Sequence, residues 1–206
     1  MVRTEMMVIG ITGGIGAGKS TAVNYLISKG FASIDADQIG RDLTADGQPL
    51  LEKIEEQFGC VSHDGQTGNG LVLDRRAMAD LVFGDSEVKE AYDELVHGEI
   101  IAVIDAKIAQ LNGTDARGIL LDAPLLFEAS INDRCDVVIL VTADMDKRID
   151  RVSARDDAEE DDIRDRINSQ MSDERKAEFS DFVVDNSGEP EEMFRQLDDI
   201  VDYLGL

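Results

Sequence analysis

The chain has 206 residues, 43% of them hydrophobic, and a formal net charge of −24. That length allows one full core with insertions, or a core with small subdomains. So acidic a surface repels polynucleotides and anionic membranes, and no run of about 18 apolar residues offers a membrane span.

Met6–Thr12 reads as a short buried strand, and Thr21–Ile27 as the body of a helix. Between them Gly13-Gly14-Ile15-Gly16-Ala17-Gly18-Lys19-Ser20 matches Gly-x-x-x-x-Gly-Lys-[Ser/Thr]. Glycines let such a loop approach phosphates closely, and its N–H groups, with the start of the next helix, present partial positive charge to the anion. Lys19 is expected to reach the β- and γ-phosphates of a nucleoside triphosphate, and Ser20 to ligate Mg2+, with Thr21 in the same nucleotide-binding stretch. Arg3 followed by Met6–Ile11 imitates a secretory signal, but cleavage there would destroy this loop, so that reading is rejected.

A second strand, Phe31–Ile34, ends in Asp35-Ala36-Asp37, and a helix follows to about Thr44. Acids at the carboxyl edge of a parallel sheet lie where ligands bind. Asp35 and Asp37 are therefore candidates for acceptor binding, with Asp37 the candidate base; helix capping is the alternative for both. Leu50–Phe58 reads as a helix, Asp64-Gly65 and Asn69-Gly70 as hairpin turns, and Asp74 as the N-cap of a helix through Val82. Ser86 to about Leu111 forms a longer helix. Residues 40–116 thus carry no strong parallel-strand signal and read as a mostly helical, acceptor-binding insertion holding the basic pair Arg75-Arg76.

Gly118–Asp122, Asp136–Val141 and Phe182–Asp185 are the remaining buried strands, and Glu191–Tyr203 the final helix. Asp122 ends its strand where a Mg2+ ion could be held, directly or through water. Residues 144–178 read as a solvated helical pair, a lid whose Arg148, Arg151 and Arg155 share one face. Guanidinium forks suit a transferring phosphoryl group, whereas pairing with Asp144, Asp156 or Asp157 is the surface alternative. The core segments are then 1–39, 117–143 and 179–206, an α/β arrangement in which helices cover a central parallel sheet of about five strands. No Asn-Lys-x-Asp or Leu-Ser-Gly-Gly motif occurs, which points away from GTPases and transporter ATPases and towards small-molecule kinases.

The chain resembles the dephospho-coenzyme A kinase family. The likeness is carried by Thr12–Ser20, Ile34-Asp35-Ala36-Asp37, Arg75-Arg76, Leu95-Val96-His97 and Asp122-Ala123-Pro124-Leu125-Leu126-Phe127-Glu128. It continues through Arg151…Arg155-Asp156, Ile167…Gln170-Met171 and Val184–Gly188, in family order. The resemblance implies an α/β, P-loop nucleotide-kinase-like three-layer fold with a helical acceptor-binding insertion and a helical lid, and phosphorylation of the 3′-hydroxyl of dephospho-coenzyme A by ATP. It implies Asp37 as the base, Asp35 beside the metal or the acceptor, and Arg151 and Arg155 as lid arginines. Thr12, Arg76, His97, Leu126 and Glu128 match acceptor-side positions, and Asn186 falls near the adenine. Gly98 after His97 and Ser172 after Met171 stand where the family has proline, and the Gly65–Gly70 loop is unusually Gly-rich. The rival readings are another P-loop kinase acting on a nucleotide, nucleoside or shikimate-like acceptor, and a nucleotide-dependent switch. A monomer or weak homo-oligomer is expected.

Cys60 and Cys135 lie far apart without metal-ligand spacing, which fits free thiols in a reducing, cytoplasmic compartment. Of the 20 basic residues, 13 are Arg and 7 Lys. Such a surface suits either molar salt or ordinary solubility. Adaptation to salt predicts that the thermal midpoint climbs steadily between low and molar KCl; a flat profile leaves solubility as the reason.

Overall fold

The computed structural model describes residues 5–63, 70–156 and 158–206. Arg3, the turn signal Asp64-Gly65, Asn69 and the suggested arginine partner Asp157 lie outside the described residues. The chain divides into two compact units, Met1–Asp35 with Lys107–Leu206, and Ala36–Ala106.

The first unit is built on a five-stranded sheet of β1 (Val8–Thr12), β2 (Ala32–Asp35), β5 (Ile119–Asp122), β6 (Val137–Thr142) and β7 (Phe182–Asp185). All neighbours are parallel, in the order β2-β5-β1-β6-β7. The five apolar runs marked in the sequence are these strands. The inner strands β1, β5 and β6 are buried on both faces, whereas the edge strands β2 and β7 bury alternate residues, so Phe182–Asp185 is a half-exposed strand and not the buried one expected. The central β1 is paired on one side with β5 and on the other with β6, so its carboxyl end sits at the point where the strand order reverses.

Alternation along the strands sorts the core. Ile9, Ile11, Leu120, Ile139, Val141 and Val184 pack with Leu26 of α1 (Lys19–Ser28) and with Met193 and Leu197 of α9 (Pro190–Tyr203). On the other face a Cβ at Gly10 would lie 2.7 Å from Cys135 Sγ and 3.0 Å from Leu126 Cδ2. Both cysteines are free, and burial, with Asp136, Asp133 and Asp181 nearby, pushes the Cys135 thiol up to about 12.

The second unit holds α2 (Ala36–Leu43), α3 (Leu50–Phe58), α4 (Arg75–Gly84) and most of α5 (Ser86–Leu111). It also holds the antiparallel pair β3 (Val61–His63) and β4 (Leu71–Leu73), in register Val61↔Leu73. Leu50, Leu51, Ile54, Cys60, Leu73 and Met78 form its core. Asp74 caps α4, accepting from the N–H groups of Arg76 and Ala77, as its sequence position predicts. The helix α5 runs unbroken through Gly98, so no turn follows His97.

Residues 144–178 differ from the expected helical pair. They form three helices, α6 (Met145–Asp156), α7 (Glu160–Asn168) and α8 (Asp173–Ala177). Nor are they merely solvated, because Ile149 and Val152 of α6 and Ile163 and Ile167 of α7 close a small buried seam with Ile15 against it. Helical spacing puts two apolar residues of each helix on one stripe, and the surrounding charge conceals that stripe in the composition.

Candidate active site

The Gly13–Ser20 loop joins β1 to α1, with Gly18 as the α1 N-cap. Gly16 and Gly18 take φ of 79° and 95°, the left-handed region that favours glycine. Protein presses on this loop from outside. A Cβ at Gly16 would meet the Arg148 carbonyl oxygen at 2.6 Å, and one at Gly18 would collide with the Asn186 carboxamide. A Cβ at Gly13 would strike the Val141 carbonyl, and one at Gly14 the Arg148 guanidinium. The glycines thus admit the loop's own supports.

Those supports are specific. Arg148, only 5% exposed, donates from Nε to Ile15 O (2.8 Å) and from Nη1 to Asp173 Oδ2 (3.0 Å). Asp173 also accepts from Thr142 Oγ1 at 2.8 Å. Gln170 Oε1 accepts from the Ile15 N–H at 3.1 Å, so both polar groups of Ile15 are held by side chains. Arg151 donates to the Gly16 carbonyl at 3.4 Å and to Asn186 O at 2.8 Å, while Asn186 Nδ2 donates to Ala17 O at 2.8 Å. The three arginines of α6 therefore serve different partners. Arg148 is buried against Asp173, Arg151 braces the loop, and Arg155 lies outside with its side chain 61% exposed. Arg155 pairs with Asp156, as the surface alternative had it, and hydrogen bonds from Arg155 and then Arg166 hold the Asp156 carboxyl well below its usual range.

Arg148 supplies the strongest stability prediction. Arg148→Met leaves the largely buried Asp173 carboxylate without its cation, which should lower the unfolding free energy by roughly 3 kcal/mol. Urea denaturation checks this; a loss under about 1 kcal/mol would remove the brace assigned to Arg148.

The strand ends supply acids. Register pairs Asp35 of β2 with Asp122 of β5, and Ile11 of β1 with Asp122. Asp122 forms an ion pair with Lys19, both side chains mostly buried. Ser20 and Thr21 stand exposed at the start of α1, and Asp35 is exposed at its strand end. Asp37 follows in the first turn of α2.

Beyond β5, Pro124 O accepts from Thr12 Oγ1 at 3.2 Å and from Lys176 Nζ at 2.7 Å. Glu128 Oε1 accepts from the Met171 N–H at 3.2 Å and faces Lys176 Nζ at 3.4 Å. Leu126 is fully buried. A cavity of about 600 Å3 opens at the carboxyl ends of β6 and β7, with Thr142, Arg148, Met171 and Ser187 among its walls.

The first unit therefore brings together Thr12, the phosphate loop, Asp35, Asp122, Arg151 and Asn186 around one edge of the sheet. Arg76 and His97 belong to the second unit, Arg76 exposed in the first turn of α4 and His97 half-buried within α5. Sequence reasoning missed Arg148 as a brace, its partner Asp173, the loop contact of Gln170, and Lys176 altogether. The available hint for Lys176 was a lysine in a chain that has only 7.

The family model for dephospho-CoA kinase matches residues 7–192 of this chain, from β1 into α9. The chain belongs to the dephospho-CoA kinase family. A dephospho-CoA kinase from Corynebacterium efficiens is 35% identical over 198 residues, covering 95% of this chain and 96% of the relative. One from Aromatoleum aromaticum is 38% identical over 200 residues, covering 96% and 93%. Among solved structures, one from Thermus thermophilus superposes with a TM-score of 0.79 at 31% identity, covering 97% of this chain and 98% of that one. Dephospho-CoA kinase from Campylobacter jejuni gives 0.68 at 23%, covering 96% of each chain. Shikimate kinase from Bacteroides thetaiotaomicron gives 0.53 at 15%, covering 98% and 99%, a likeness of fold alone. As a family member the chain is a kinase that uses ATP and a small-molecule acceptor. None of its described helices is long and apolar enough to cross a membrane.

Proposed function

We propose that this chain transfers the γ-phosphoryl group of ATP to the ribose 3′-hydroxyl of dephospho-coenzyme A, giving coenzyme A and ADP in the last step of coenzyme A synthesis. The family match carries this reading, since it spans the phosphate loop, the strand-end acids and the Asp122–Glu128 segment without a break.

The 3′-oxygen attacks the γ-phosphorus in line, its proton passes to Asp37, and the bond from the γ-phosphorus to the β,γ-bridging oxygen breaks, leaving ADP. Asp35 orients the acceptor or stands beside the metal. Lys19 leaves Asp122 for the β- and γ-phosphates when ATP enters, and the N–H groups of Gly13–Thr21 hold the β-phosphate. Arg151 and Arg155 stabilise charge on the transferring group, which for Arg155 requires leaving Asp156. Asn186, at the end of β7, lies on the adenine side. Thr12, Arg76, His97, Leu126 and Glu128 serve the acceptor.

The oxygen donors of Ser20 and Asp122 suit a hard divalent cation, and these residues would hold Mg2+, Asp122 directly or through water. Bound there, Mg2+ would supply charge neutralisation for the transferring phosphoryl group. Residues 40–116 serve as the acceptor-binding insertion and 144–178 as a lid that excludes water as a competing acceptor. Monomers or weak homo-oligomers in the cytoplasm, without nucleic-acid partners, complete the reading.

The test is ADP release with and without dephospho-coenzyme A. A large acceptor-dependent rate is expected, and equal rates overturn the assignment. Shikimate and nucleosides in the same assay separate the rival kinases.

A further inference from the structure

The segment Gln170–Lys176 grips two parts of the site. At its start Gln170 takes the Ile15 N–H of the phosphate loop, and Asp173 holds the arginine that takes the Ile15 carbonyl. At its end Lys176 reaches the stretch after β5, donating to Pro124 O and facing the Glu128 carboxylate. Met171 adds its own N–H to the same Glu128 oxygen.

Lys176 is 0% exposed, a rare state for a lysine unless it is paired. Replacing a buried ion pair by apolar groups of like volume often leaves stability unchanged or raises it. Stability alone therefore does not account for an ammonium at this position. What it does, and an apolar side chain cannot, is orient a carbonyl and a carboxylate together. The carbonyl is that of Pro124, which also receives the hydroxyl of Thr12 at the end of β1. The carboxylate is that of Glu128, six residues beyond the Asp122 that pairs with Lys19.

We propose that Lys176 is a positioning residue for the acceptor: it sets the Pro124 carbonyl and the Glu128 carboxylate, and ties them to the segment that holds the phosphate loop. The role rests on the reading above, in which Glu128 meets dephospho-coenzyme A. Lys176 itself touches neither substrate. It joins donor and acceptor geometry because one short stretch of chain is anchored to both.

The experiment is steady-state kinetics of ADP release, varying each substrate, on wild type, Lys176→Met, Glu128→Gln and the double variant, with thermal midpoints alongside. Losing one charge-assisted bond should raise KM for dephospho-coenzyme A in Lys176→Met about tenfold, with KM for ATP within about twofold. The double variant should show less than the product of the single effects, because both changes break one linkage. A lowered midpoint with an unchanged acceptor KM, or fully multiplicative effects, overturns the role. If Lys176→Met does not fold, Glu128→Gln decides: its acceptor KM must rise, and an unchanged value overturns the proposal. Wild-type ADP release indifferent to dephospho-coenzyme A sinks the reaction assignment itself. A normal wild type with an indifferent Lys176→Met sinks Lys176 alone.

Discussion

Lys19→Met is expected to lower the rate of acceptor-dependent ADP release by about 10²–10³ at saturating substrates, the usual cost of deleting one preorganised charge from a transition-state site. The Lys19 ammonium is held by Asp122 at the end of β5, beside the loop at the end of β1. On the proposed reaction, ATP would exchange that carboxylate for its own oxygens. Removing the lysine also strips Asp122 of its partner, so the assay belongs below the variant's melting temperature, with circular dichroism to show that it is folded. A rate within about threefold of wild type would show that Lys19 does not stabilise the transferring group.

Asp37→Asn is expected to reduce turnover by about 10² or more while ATP affinity stays nearly unchanged. The amide keeps the shape of the side chain but cannot accept the hydroxyl proton. Asp35→Asn provides the comparison, because Asp35 ends β2 in register with Asp122, whereas Asp37 begins a helix. If Asp35→Asn loses the greater share of turnover and Asp37→Asn stays close to wild type, the base is Asp35. A helix-start acid with only a dipole role would change the melting temperature and leave turnover alone.

Much of this site was legible before any coordinates. The phosphate loop is contiguous, and its chemistry depends on residues a few positions apart, so Gly13–Ser20 announces itself. The inner strands β1, β5 and β6 showed as apolar runs because a parallel sheet buries both of their faces, and Asp74 showed as a cap because capping is local. The supports of the loop were not legible. Ile15 meets Gln170 across 155 residues, Pro124 meets Lys176 across 52, and Arg148 meets Asp173 across 25. With 44 acidic residues in the chain, no local rule says which one an arginine finds. The α6 stripe shows the consequence: three arginines at helical spacing look equivalent, yet one is buried, one braces the loop and one pairs with its neighbour at the surface.

The sequence by itself determined the nucleotide loop, the alternation of strand and helix, and the acids at the strand ends, because each follows from backbone geometry and spacing within a few residues. Only the tertiary structure decided what presses on that loop from outside. It turned Arg148 inward to Asp173, shut Lys176 away against Pro124 and Glu128, and stored Lys19 on Asp122. The reason is physical: a buried charge must be met by a partner, and which partner is near depends on how distant segments pack.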